Sequence, residues 1–323
     1  MSSPFTIITT IDLRYRPFNI ILRMVNFFNY LHYHNIPCVV GYSVNGSFLD
    51  KISYSIFNRY DNIKIANCLS KNNISNSILR NAAIDIADTD KLILSDIDIY
   101  PNVILYNELY QQSISGFSMA PVLYLSSLGT KKFLSTHDTP DAISWWKNFQ
   151  QNKIMHLAIP SSLVCISRND SLHIGGFDEK FYGHGYEDFD FLIRLCSYLK
   201  ILDPLRTNFF IDQTYSAPIL SQGFRRELAH FALKNCLTGH IGIHLYHKKA
   251  HNYKFSREIN KKYFANKFNS IYNFSQNITY DYNYDLVAYF YKLCKELHLN
   301  PSSFSSLFTN SAQEKNNYYK NDL

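Results

Sequence analysis

A chain of 323 residues that is 46% hydrophobic and 18% charged can bury a sizeable core, which excludes an intrinsically disordered protein. Its net charge of +6 is modest: it suits an anionic small molecule or an anionic membrane surface and argues against a dedicated nucleic-acid groove. The 25 Tyr and 24 Phe accompany abundant Asn, Ile and Lys, as an AT-rich gene produces, so the aromatics alone mark no binding surface.

The opening "MSSPFTIITTIDLRYRP" has neither a basic n-region nor a cleavage site. No apolar run approaches the ~20 residues of a membrane span, so the sequence predicts a soluble, cytoplasmic protein. "FTIITTI" (5–11) is β-branched and apolar and predicts a strand. A helical pattern follows from Phe18 to about His34, then a second strand at "IPCVVGYSV" (36–44). "NSILRNAAIDIA" (76–87) reads as an amphipathic helix and "KLILSDIDI" as one long strand. Alternating strands and helices predict a mostly parallel sheet with helices on its faces. Ligands of such sheets bind beyond the carboxyl ends of the strands, where Asp12, Arg14, Asp96 and Asp98 fall.

From about 117 to 160 the pattern weakens. The stretch around 130–150, with Trp145 and Trp146, reads either as a mobile lid or as an irregular insertion. "SSLVCISR" (161–168) is strand-like, and "GGFDEKFYGHGYEDFDFLIRLCSYLK" (175–200) runs from a glycine turn into a helix. Beyond about 255 the chain is basic and rich in tyrosine, with a helix at 284–298 and a polar tail predicted to be disordered. The predicted organisation is one domain over 1–255 and a helical extension with its tail over 256–323. Cys38, Cys68, Cys165, Cys196, Cys236 and Cys294 contain no C-x-x-C pair and lie mostly in apolar runs, which predicts buried free thiols.

Three segments could carry chemistry. Asp96 and Asp98 are two residues apart, so on a strand they share a face. Like charges so placed call for a divalent cation and phosphate oxygens, or they are a solvated turn. In "GHGYEDFDF" (183–191), acids at a helix start can cap it. Three acids in four residues, behind glycines that admit a substrate, also fit a carboxylate general base. His244 and His247 in "HLYH", with His240 and His251 nearby, are either metal ligands or surface histidines.

The order "SDIDIYP", "ISRNDSLHIGGFDEKFYGHGYEDFDFLIRL", "HLYH" resembles the β-1,4-galactosyltransferase superfamily and related bacterial capsule glycosyltransferases. The resemblance implies a GT-A fold, α/β with a mixed, mostly parallel sheet flanked by helices. It also implies transfer of a sugar from a UDP-sugar with inversion, assisted by Mn²⁺ or Mg²⁺. Asp98 and His247 match the metal ligands, and His244 stands where some members place a further one. Asp96 lies toward the nucleotide, with Thr10, Asp12 and Arg14 after the first strand and Arg80 or Asn81 before the D-x-D. Asp188 matches the catalytic base and Glu187 its neighbour at the acceptor. His184 and Tyr186 replace the aromatic beside the acid pair and are expected at the acceptor. The implied partners are a nucleotide sugar and a glycan or lipid-linked glycan, as in surface polysaccharide assembly. The basic C-terminal region is a candidate peripheral membrane contact. The competing readings are a protein-modifying glycosyltransferase effector and a non-catalytic sugar-nucleotide-binding module; retention of both Asp98 and Asp188 speaks against the latter.

Overall fold

A computed structural model describes residues 3–14, 16–69, 75–203, 212, 217–248, 253–274 and 285–309. His251 and the polar tail from 310 lie outside the described residues. In chain order the elements are β1 (Phe5–Ile11), α1 (Pro17–Tyr33), β2 (Cys38–Val44), α2 (Phe48–Phe57), β3 (Ile63–Leu69), α3 (Asn76–Asp85), β4 (Lys91–Leu94), β5 (Ile99–Tyr100), α4 (Val103–Gln112) and β6 (Phe117–Met119). They continue with β7 (Val122–Leu125), α5 (Ser127–Thr136), α6 (Thr139–Lys147), β8 (Ile154–Ala158), β9 (Val164–Ser167), α7 (Arg168–His173), α8 (Glu187–Tyr198), α9 (Phe224–Thr238), β10 (Gly242–His244), α10 (Tyr253–Phe274) and α11 (Leu286–Glu296).

The chain forms two compact units. The first comprises Met1–Ser118, Ser162–Asp203 and His247–Phe274; the second comprises Met119–Ser161, Pro204–Tyr246 and Ser275–Leu323. The units interleave along the chain rather than dividing at 255, and α10 belongs to the first.

The first unit is built on a six-stranded mixed sheet of order β3-β2-β1-β4-β9-β6. β1 pairs parallel with β2 and β4, β2 pairs parallel with β3, and β9 runs antiparallel to β4. The central strands are apolar on both faces, as a sheet covered on both sides requires; Ile7, Val40, Ile93 and Ile166 are fully buried. α1 starts on Pro17, which suits a first helical position, and buries Ile20, Met24, Phe27, Phe28 and Leu31 at helical spacing. Arg23 sits on the same stripe.

α3 lies close on the sheet because β2 has no side chain where they meet. A Cβ on Gly41 would fall 2.0 Å from the carbonyl oxygen of Leu79. Parallel pairing of β1 with β4 puts their carboxyl ends on one edge, where the Ser95 amide donates to the Ile8 carbonyl at 3.0 Å.

In the second unit, β7 pairs parallel with β10 and antiparallel with β8. The 130–150 stretch is not an irregular insertion. It forms most of α5 and α6, and Trp145 (2% exposed) and Trp146 (7%) are core residues. The long strand predicted over 91–99 is likewise two short ones: β4 ends at Leu94, and Asp96 and Asp98 lie in the connection to β5, closed by an Ile99 amide to Asp96 carbonyl bond of 2.9 Å. They do not share a strand face.

Candidate active site

The turn after β4 sends its two carboxylates in different directions. Asp98 is buried at 4% exposure. It receives Arg16 Nη1 on Oδ1 at 2.9 Å, and Arg16 Nη2 and Arg23 Nη1 also contact the carboxylate. His247 Nε2 lies 3.2 Å from Asp98 Oδ2. Asp96 is partly open, with 32% of its side chain exposed, and accepts from Arg80 Nη2 at 3.1 Å.

Arg80 comes from the buried face of α3 and is 3% exposed. Its Nη1 donates to Asp188 Oδ1 at 2.5 Å and lies 3.8 Å from Glu187 Oε1. One guanidinium thus ties the D-x-D turn to the start of α8. Burial would lower its pKa, but Asp188, Asp96 and Glu187 outweigh burial and hold it above the ordinary range. On Asp188, burial pushes the carboxyl up to about 7, against Arg80 and with the help of Glu187 and Asp96. Its side chain retains 23% exposure.

The acids of α8 do not cap it. The N-cap is Tyr186, in the left-handed region at φ 71° and without a side-chain cap bond. Each acid has its own partner. Glu187 Oε2 accepts the Gly185 amide at 2.5 Å, Asp188 takes Arg80, and Asp190 takes Arg194 Nε at 2.9 Å and Lys267 at 2.6 Å.

Gly183 and Gly185 have φ of 63° and 107°, which L side chains rarely adopt. α10 braces this bend. Asn260 exchanges hydrogen bonds with the Tyr182 backbone at 2.9 and 2.8 Å, and Tyr263 and Lys267 reach Asp178 at 2.9 and 2.7 Å. The tyrosine-rich basic helix therefore supports the acid segment, and Lys267 is committed to it.

Several expected residues have other work. Asn81 turns its side-chain amide onto Phe177: it donates to the Phe177 carbonyl at 2.9 Å and accepts the Phe177 amide at 2.8 Å. It thereby fixes the "GGF" turn, where a Cβ on Gly176 would come 2.5 Å from Asn81 Oδ1. Tyr186 is no open stacking platform. It is 4% exposed, against Phe264 at 5.5 Å and under the Arg257 guanidinium at 5.0 Å. Glu187, 1% exposed, is turned back onto Gly185. His184 keeps 46% of its side chain exposed. Arg14 folds onto Asp12 through Nε at 2.9 Å and Nη2 at 2.6 Å, just beyond half-buried Thr10. His244 ends β10 in the second unit, stacked on Tyr124 at 4.0 Å.

Arg16 and Arg23 were not among the expected residues. The available signal was a charged side chain on the apolar stripe of α1, Arg23 among Ile20, Met24 and Phe27. Burial pushes Arg16 down to about 10 and Arg23 to about 9, with Arg16 adding to the effect on Arg23; both stay cationic at neutral pH.

The residues at Asp98 fit a divalent metal. His247 Nδ1 lies 3.0 Å from the Lys248 carbonyl. A carbonyl only accepts, so the ring proton is assigned to Nδ1 and Nε2 turns its lone pair toward Asp98. Burial and Arg16 hold the imidazole neutral, down to about 3. A nitrogen and a carboxylate oxygen converging in this way form a donor set suited to Mn²⁺.

Among solved structures, the chain is similar to Staphylococcus aureus TarS 1–349 in complex with UDP-GlcNAc (13% identity, 60% of this chain and 53% of that one, TM-score 0.39). It is similar to the mannosyltransferase PcManGT of Pyrobaculum calidifontis with GDP-Man and Mn²⁺ (11%, 100% and 80%, 0.43). It is also similar to glucosyl-3-phosphoglycerate synthase of Mycobacterium tuberculosis with Mn²⁺, UDP and glucosyl-3-phosphoglycerate (12%, 61% and 66%, 0.37). The chain spans about half the length of the TarS 1–349 structures it matches. No curated protein matches it. The architecture is GT-A-like, an α/β fold with mixed sheets flanked by helices. Residues 28–270 match the family model for glycosyltransferase-like family 2, and the chain belongs to that family.

Proposed function

We propose that this chain is a metal-dependent, inverting glycosyltransferase that moves a hexose-type sugar from a UDP-sugar to a hydroxyl of a glycan or lipid-linked glycan, in surface polysaccharide assembly. The observation that carries the reading is the pair of carboxylate sites joined through Arg80: Asp96 on the D-x-D turn and Asp188 on α8. Inversion needs a base on the face of the sugar opposite the leaving diphosphate. Asp188 suits that task, with its carboxyl raised to about 7 and part of its side chain accessible. Asp188 accepts the proton of the acceptor hydroxyl as that oxygen attacks the anomeric carbon. Arg80 orients the carboxylate and stabilises its charged form.

Asp98 and His247 would hold the divalent ion, and the resemblance to the β-1,4-galactosyltransferase superfamily adds His244, which stands where some members place a further ligand. When bound, the metal supplies charge stabilisation to the UDP leaving group. Thr10, Asp12 and Arg14 are assigned to the uridine side, Asp96 to the nucleotide, and exposed His184, beside Glu187, to the acceptor. The exposed basic residues of α10, Lys254, Lys261 and Lys262, are assigned to an anionic membrane surface that carries the acceptor. Among the described residues no helix is long and apolar enough to cross a membrane.

A thermal-shift panel of UDP- and GDP-sugars with and without Mn²⁺ tests the donor class. A donor at about 100 times its Kd stabilises the fold by roughly 2.7 kcal/mol. The reading expects a UDP-sugar to raise Tm more with Mn²⁺ than without it. A response to GDP-sugars alone would contradict the UDP assignment.

A further inference from the structure

The segment that presents Asp188 has little of its own to hold its shape. Between Ile174 and Glu187, Gly175, Gly176, Gly183, Gly185 and Tyr186 all lie at positive φ, and glycine restricts a backbone least. α8 opens on Tyr186 without a side-chain cap bond. Its first turn carries Glu187, Asp188 and Asp190, three like charges that repel one another unless each is tied down separately. Such a bend takes its geometry from what packs against it.

Two helices of the first unit supply the restraints. α3 holds Phe177 through Asn81 and Asp188 through Arg80. α10 meets the segment at three points. The Asn260 side chain, 1% exposed, donates to the Tyr182 carbonyl and accepts the Tyr182 amide, which uses both the donor and the acceptor of a carboxamide. Ser256 and Arg257 close on the glycines: a Cβ on Gly183 would come 3.0 Å from Ser256 Oγ, and one on Gly185 3.3 Å from Arg257 Cγ. Lys267 Nζ lies 2.7 Å from Asp178 and 2.6 Å from fully buried Asp190. One ammonium thus joins the turn before the bend to the helix after it. Buried polar groups of this kind are a poor route to stability, because their bonds recover little beyond the desolvation they cost. What they supply is a fixed direction.

We propose that Asn260 and Lys267 are positioning residues for the transfer: from α10 they fix the bend so that the Asp188 carboxylate stands in line with an acceptor hydroxyl. This inference rests on reading Asp188 as the base. It adds that the α10 residues act through Asp188 and not through the donor.

The test is UDP release from UDP-galactose, UDP-N-acetylglucosamine and UDP-glucuronic acid with Mn²⁺ and enzyme in excess, beside UDP affinity by calorimetry. Asn260→Ala should slow release by about 10–100-fold, the cost of a base displaced by an ångström or less, with the UDP Kd within about threefold of wild type. In the Asp188→Asn background the same substitution should cost almost nothing further, because the carboxylate it acts through is already gone. Lys267→Met should behave in the same way, and Lys267→Arg, which keeps a cation between the two carboxylates, should recover most of the rate. This pair carries the comparison if Asn260→Ala does not fold by circular dichroism. A wild-type rate in the folded variants, an undiminished further loss in the Asp188→Asn background, or a UDP affinity that falls with the rate would overturn the positioning role while leaving Asp188 as the base. An Asp188→Asn enzyme as fast as wild type, or no UDP release from any of the three donors, would overturn the reading of Asp188 as the base, and the inference with it.

Discussion

With 3% of its surface exposed, Arg80 places one guanidinium against Asp96, Asp188 and Glu187, and removing it has two separable consequences. Arg80→Met leaves buried Glu187 and half-buried Asp96 and Asp188 without their cation, and breaking such a cluster costs up to about 3 kcal/mol, to be read by urea denaturation. The variant also changes the pH profile. The active base is the ionised carboxylate, so wild-type kcat/KM should rise with pH through about 7 and level off above it. Arg80 favours the charged form, so its loss should move that limb upward by about one pH unit or more. An unmoved limb would mean that Asp188 is not the group titrating.

At this scale the sequence already contained the main acids. Asp96 and Asp98 stand out through the order of motifs that carries the family resemblance, and Asp188 also because three acids in four residues exceed what a cap needs. What could not be read was direction. Asn81 and Arg80 are adjacent on α3, yet one points to the "GGF" turn and the other to the carboxylates, a difference set by helix rotation against the sheet. Tyr186 has the composition of a stacking platform, but a left-handed backbone turns it under α10.

Among the elements, α3 matters most to the site because it carries Arg80, and its seat depends on Gly41. A methyl group there would meet the Leu79 carbonyl at 2.0 Å, so Gly41→Ala must push the helix off β2. The expected cost is about 1–3 kcal/mol of stability, together with a fall in turnover as Arg80 is displaced. Chemical denaturation and a transfer assay on the same sample check both.

Elements with a continuous apolar run or a clean helical stripe, such as β1, α1, β2, α3 and α11, were legible in the sequence. β3 was not. It is an edge strand with only Ala66 buried, so it lacks the apolar run of a central strand. α5 escaped for a related reason: it buries only Gly129 and Phe133, too little for a periodic signal. The D-x-D segment misled in the opposite sense, because Ile97 and Ile99 continue the apolar pattern of β4 (6% and 2% exposed) after the strand has ended.

For the whole molecule, the chain belongs to glycosyltransferase-like family 2, and its two compact units interleave along the sequence. The thiols test the packing. All six cysteines are free; five are buried and Cys68 is half-buried, and burial pushes the thiols of Cys38, Cys165, Cys196 and Cys236 upward. An aromatic disulfide reagent should therefore find about one reactive thiol in the native protein and all six after denaturation. Rapid reaction of several thiols in the native state would contradict the packing.

As the proposed base of a sugar transfer, Asp188 has a different job from donor binding. The direct measurement is Asp188→Asn, with UDP affinity by calorimetry and sugar transfer followed on the same preparation. The UDP Kd should stay within about threefold of wild type while turnover falls roughly 10²–10⁴-fold, the usual share of a general base. Retained turnover, or a fall in UDP affinity as large as the fall in turnover, would contradict it.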